Sequence, residues 1–88
     1  MKSISNKSFE DFTQELSKEC EDFEINYRRT LRTFIIEVSS NKSLKFYLTN
    51  CNTVNLLSKN SNNNTDLVEF SNIASLRNYV FRWIINNN

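Results

Sequence analysis

The chain contains no glycine, no proline and no histidine, and its only alanine is Ala74. Each absence narrows the field. Without histidine, no serine or cysteine nucleophile can be paired with an imidazole base. The only cysteines, Cys20 and Cys51, have thirty residues between them and no paired spacing, so no zinc site is expected. Without glycine there is no phosphate-cradling loop of the usual kind, and turns that need a positive φ must fall to Asn or Asp. Long apolar runs are also missing, and the polar start Met1 to Phe12 has no secretory pattern. The expectation is a soluble, cytoplasmic protein with reduced thiols and no membrane partner. The formal net charge of +1 argues against a dedicated nucleic-acid binder with a uniform excess of Lys and Arg, but leaves room for a local patch.

What the chain does have is asparagine, fifteen times, together with seven Phe, three Tyr and one Trp. Asn, Lys, Ile and Phe come from AT-rich codons, whereas Gly, Pro and Ala come from GC-rich ones. An AT-rich genome or a mobile element such as a phage is therefore the expected source. At 88 residues the chain is a single domain near the lower limit for folding without a staple. Its aromatic residues, each burying roughly 150–250 Å² when covered, compensate for the small size.

Periodicity organises the middle of the chain. Phe23, Ile25 and Tyr27, then Phe34, Ile36 and Val38, then Leu44, Phe46 and Leu48 alternate with polar residues, which is the period of a strand. Three antiparallel strands follow, with one greasy side that must be covered. Before them, Ser8 with Glu10 and Asp11 reads as a helix start, and Phe9, Phe12, Leu16 and Cys20 form an apolar stripe. After them, Ser71 reads as the cap of a second helix whose stripe is Ile73, Leu76, Val80 and Ile84. Residues 1–7 are expected to be a loose start, 50–66 an Asn-rich flexible loop, and 86–88 a frayed tail. Leu67 to Phe70 could add a fourth strand. Asn41, Asn50, Asn52 and Asn62 to Asn64 stand where positive-φ turns are wanted. The fold class expected is α+β, in the order α-β-β-β-(β)-α, with both helices packed on one face of an antiparallel sheet.

The order of charges says more than their sum. Residues 10–24 hold seven acids and one base, and residues 28–59 hold six bases and one acid. Two surfaces of opposite sign are expected. The acidic first helix, through Asp11, Glu15 and Asp22, together with Phe81 and Arg82 on the second, is the candidate protein-binding set. Arg28, Arg29, Arg32, Lys45 and Tyr47 are the candidate nucleic-acid set, because arginine binds phosphate and aromatic rings stack on bases. Tyr27 shares the face of Ile25 and is assigned to the core. The order helix, three strands, helix resembles a double-stranded-RNA-binding domain in topology. The lysine-rich start of that family's second helix would fall on Ser71 to Ser75, which contain no lysine.

No catalytic residue, metal site or cofactor is expected, and the reading is a non-enzymatic protein. It would work by binding another protein or protein complex, as an inhibitor or adaptor of the anti-restriction or anti-CRISPR kind. A nucleic-acid-binding module is the alternative, and a subunit of a larger complex the third reading.

Overall fold

The computed structural model describes residues 3–60 and 65–87. Two helices, α1 (Asn6–Asp22) and α2 (Ile73–Asn87), bracket five strands: β1 (Asn26–Arg29), β2 (Thr33–Ser39), β3 (Lys42–Leu48), β4 (Val54–Lys59) and β5 (Thr65–Phe70). The strands pair antiparallel in chain order, so each is joined to the next by a local connection. The α+β class holds, and both helices lie on one face.

That shared face follows from register. Phe34, Phe46, Leu56 and Val68 stand in one row across β2 to β5, Ile36 and Leu44 in the next, and Leu48, Val54 and Phe70 in a third. Phe9, Phe12, Leu16 and Cys20 of α1 and Leu76, Val80 and Ile84 of α2 join Phe34, Ile36, Leu44, Phe46, Leu48, Val54 and Leu56 in one core, with Phe70 packed against it. Phe46 sits at its centre, with ring centroids 5.9 Å from Phe9, 6.0 Å from Phe12 and 5.6 Å from Phe34. Offset and edge-on ring contacts of this kind add to area burial. Tyr27 stacks on Phe34 at 5.4 Å and so belongs to the core side, as its face assignment required.

Helix ends explain several shifts in boundary. Ser5, not Ser8, caps α1: its extended backbone (φ −76, ψ 161) lets its hydroxyl accept from the Ser8 amide at 3.0 Å. Ile4 precedes the cap and Phe9 lies four residues inside the helix, and both are buried, the arrangement of a hydrophobic staple. The loose start expected over residues 1–7 is thus corrected from Ile4 onward; Met1 and Lys2 lie outside the described residues. At the other helix, Asn72 replaces Ser71 as the cap, its Oδ1 accepting from Ala74 at 2.8 Å and Ser75 at 3.3 Å. Helix α2 then runs through Asn87 rather than fraying from Asn86. Asn88 lies outside the described residues.

Two further expectations are corrected. Phe23 does not begin a strand; it is the C-cap of α1 and more than half exposed, and the chain turns through Glu24 at φ 56. Ile25 donates to Cys20 O at 2.8 Å and Glu24 to Glu21 O at 3.2 Å, the bond pair of a Schellman motif. Glutamate here fills a position that glycine ordinarily takes. Within the loop expected over 50–66 lies β4, and β5 starts at Thr65, so among the described residues of that span only the tight turn at 50–53 and Asn60 are not strand. Asn52 supplies the positive φ (61) in that turn, whereas the candidate turn residues Asn62 to Asn64 lie outside the described residues. With five strands, the topological likeness to the double-stranded-RNA-binding domain ends after β3.

Candidate functional site

Covering one face of the sheet with both helices leaves the other bare. Register places Arg28, Ile35, Lys45, Leu57 and Leu67 in one row across that face. Asn26, Glu37, Ser43, Lys59 and Thr65 form the row on one side, and Thr33, Tyr47, Asn55 and Glu69 the row on the other. Leu67 is 70% exposed, Leu57 and Tyr47 are each 37% exposed, and Ile35 is half-buried. No side chain of α1 or α2 reaches these positions because the pleat turns them away from the core. An aliphatic strip interrupted by Lys45 therefore faces solvent.

The electrostatics of this face are mixed. Arg28 donates to Glu37 Oε1 at 2.7 Å across β1 and β2, which neutralises both. Tyr47 accepts from Asn55 Nδ2 at 3.2 Å, fixing its hydroxyl along β4. Lys45 and Lys59 are in no ion pair among the described residues. They leave a modest positive potential beside Leu57.

The candidate basic set is divided by the fold. Arg28, Lys45 and Tyr47 share the bare face, but Arg29 and Arg32 are elsewhere and engaged. Arg29 lies on the covered face, where its Nε donates to Thr13 Oγ1 at 3.1 Å and ties β1 to α1. Arg32 donates from Nε to Leu48 O at 3.2 Å and from its guanidinium nitrogens to Thr49 O at 2.8 Å and Asn6 Oδ1 at 3.4 Å. It joins the β1–β2 connection to the end of β3 and the start of α1, with each of its three guanidinium nitrogens engaged.

The candidate acidic set is divided as well. Asp11 pairs with Lys7 at 3.7 Å within the helix. Glu15 pairs with Arg77 of α2 at 2.8 Å, and that guanidinium lies 5.1 Å over the Phe81 ring, which meets Phe12 edge-on at 6.2 Å. Phe81 is therefore packed between the helices and is not a free docking residue. Asp22 ends α1 and remains exposed, and Arg82 points from the opposite flank of α2. The structure does not bring these five residues to one surface.

Elsewhere the surface offers little for chemistry. A groove of about 420 Å³ lies between α1 and the β1–β2 connection, lined by Glu10, Gln14, Arg29, Thr30 and Leu31, and it is open to solvent. Among the described residues no three acids or cysteines converge to hold a metal ion, and no helix is long and apolar enough to cross a membrane. Both cysteines are free. Cys20 is buried near the end of α1, while Cys51 is exposed in the turn whose Asn52 bonds Ile4 before its start. A helix of this length separates them by roughly 20 Å, too far for a bridge. Burial, with help from neighbouring Glu19 and Glu21, pushes the Cys20 thiol up to about 11, so it is a packing group rather than a nucleophile.

Strand β4 (Val54–Lys59) was the part sequence reasoning missed, because the alternation Val54, Leu56, Ser58 against Asn55, Leu57, Lys59 puts a serine inside and a leucine outside. The adjacent pair Leu56 and Leu57, pointing to opposite faces, was the available signal. Compared with protein-family models, curated proteins and solved structures, the chain matches none of them.

Proposed function

We propose that this is a small non-enzymatic binding protein that occupies a protein partner through the bare face of its sheet, in the manner of an inhibitor or adaptor. The observation that supports it is the row Ile35, Lys45, Leu57 and Leu67, in which Leu57 and Leu67 are exposed beside half-buried Ile35 and the Lys45 cation while both helices crowd the opposite face. Fully burying an exposed leucine is worth roughly 1.5–3 kcal/mol, so covering Leu67, 70% exposed, contributes most and covering Leu57, already largely buried at 37% exposed, contributes less. The partner chemistry that fits is an apolar patch with a carboxylate set opposite Lys45. The acidic residues of α1 are peripheral in this reading, since Asp11 and Glu15 already have partners.

The test is a pull-down with nuclease present, repeated with Leu57→Lys/Leu67→Lys and with Asp11→Lys/Asp22→Lys. A protein retained by the parent and by the helix variant, but lost by the face variant, supports the reading. Retention by the face variant refutes it.

A nucleic-acid module is the second reading, favoured by Arg28, Lys45 and Tyr47 sharing one face with Lys59. It requires capture that nuclease abolishes and that weakens steeply with salt. The face has a single exposed ring and an arginine already neutralised by Glu37, which is why protein is preferred.

A further inference from the structure

The two edges of the sheet are guarded differently. Strand β1 is short, carries Arg28 and Arg29, and is tied to α1 through Thr13. Strand β5 is six residues long, pairs with β4 without a register shift, and contains no Lys, Arg or Pro. Among the described residues nothing pairs with its outer side. Half of its backbone amides and carbonyls therefore face outward as a template for another strand.

Above this edge stands a flank of α2. Arg77 and Phe81 mark the flank turned to α1, and Leu76, Val80 and Ile84 point into the core. Tyr79 and Trp83, one turn apart, occupy the opposite flank, where Tyr79 meets Phe70 of β5 at 5.4 Å. They are half-buried and line a small concavity with Arg82, Asn86 and Asn87. A strand laid along β5 would run beside these rings.

The side chains of β5 indicate what kind of strand. Asp66 lies on the covered-face register and Glu69 on the bare-face register, with Leu67 and Val68 between them. Among the described residues neither carboxylate is in an ion pair, and Glu69 has only a 3.5 Å contact from Thr53. A second copy of this strand would gather four carboxylates and no cation on one ladder. We infer that the β5 edge takes an extended segment of a partner protein as a sixth strand, and that this segment has the order basic, apolar, apolar, basic. Its cations sit opposite Asp66 and Glu69, on opposite faces, and its apolar pair sits opposite Leu67 and Val68. Backbone bonds supply affinity and the alternating side chains supply selection.

This edge is distinct from the bare face, so its test is separate. Short peptides centred on Lys-Val-Val-Lys, Glu-Val-Val-Glu and Lys-Val-Lys-Val are titrated into the full chain and read by emission of Trp83, the one tryptophan. Amide exchange of Thr65 to Phe70 is the second readout. The first peptide is expected to bind about tenfold more tightly than the other two, as two cross-strand charge pairs allow, and to slow exchange along β5. Asp66→Lys/Glu69→Lys, at two exposed positions, should reverse the preference toward the acidic peptide. Methylating the peptide's backbone nitrogens should abolish binding. The inference is overturned if no peptide binds, if the acidic peptide binds the parent as well, or if the methylated peptide is undiminished. It is also overturned if sedimentation shows β5 protected by self-association.

Discussion

Glu24 is the position where a glycine-free chain carries the largest local cost, and replacing it with glycine tests that directly. Its φ of 56 places a non-glycine side chain in the left-handed region, and the Schellman bonds from Ile25 to Cys20 and from Glu24 to Glu21 hold it there. That conformation costs a residue with a Cβ about 1–2 kcal/mol. Glutamate adds a negative charge next to the negative end of α1, where Glu19, Glu21 and Asp22 already crowd the last turn. Against these gains, glycine loses about 0.4–1 kcal/mol through the greater freedom of the unfolded chain. The net for Glu24→Gly is stabilisation by about 1 kcal/mol, equivalent to a rise in Tm of about 4–8 °C in a domain of this size. Urea and thermal unfolding by circular dichroism measure it. Glu24→Ala separates the causes, since alanine removes the charge but keeps the backbone cost and should gain only about 0.3 kcal/mol. Equal gains from alanine and glycine would refute the backbone argument, and a loss with glycine would refute the assigned geometry.

Arg32→Ala should destabilise by about 2 kcal/mol in urea unfolding, because three acceptors on β3, its following turn and α1 lose a charged donor; lysine should restore only part of this. Phe46→Ala should cost about 3–5 kcal/mol, close to the whole stability of so small a domain, with Phe46→Leu milder; a Phe46→Ala protein with an unchanged denaturation midpoint would contradict the ring cluster. Iodoacetamide should alkylate Cys51 quickly in the native protein and Cys20 only as fast as the chain opens, as read by mass spectrometry. Because folding raises the Cys20 thiol from 9.0 to about 11, its contribution is intact below pH 9 and lost as pH climbs to 11. Tyr27, raised by its bond to Glu21, acts in the same direction, so the effect is read as the difference in pH slope between the parent and Cys20→Val.

The covered side was legible from periodicity across β2, β3 and the two helices, because Phe34, Ile36, Leu44, Phe46 and Leu48 alternate without interruption and the stripes of both helices are regular. Legibility ended where a residue's role depends on a distant neighbour. Ser58 is buried and Leu57 half exposed, which inverts the pattern of β4, and pairing with β3 and β5 overrides it. Ile4 is isolated in a polar start, and only its fit beside Phe9 reveals that it belongs to the core. The same holds for the charges. Arg28, Arg29 and Arg32 look equivalent along the chain, yet one lies on the bare face, one bonds α1 and one closes the β3 turn. Sequence order supplies composition of a surface, but the pleat and the connections decide which charges remain available.

The bare face and the β5 edge meet at Leu67, and that meeting separates the two binding ideas. Leu67 projects from the bare face, so its side chain matters to a partner docked there, whereas strand addition at β5 depends chiefly on its backbone. Leu67→Lys should therefore abolish face docking while leaving the Lys-Val-Val-Lys peptide bound within about threefold, since a single cross-strand pair is worth little more. Methylation of peptide nitrogens should do the reverse. Should one substitution remove both, the face and the edge form a single interface, and a partner that covers the aliphatic strip and also extends the sheet accounts for both exposures at once.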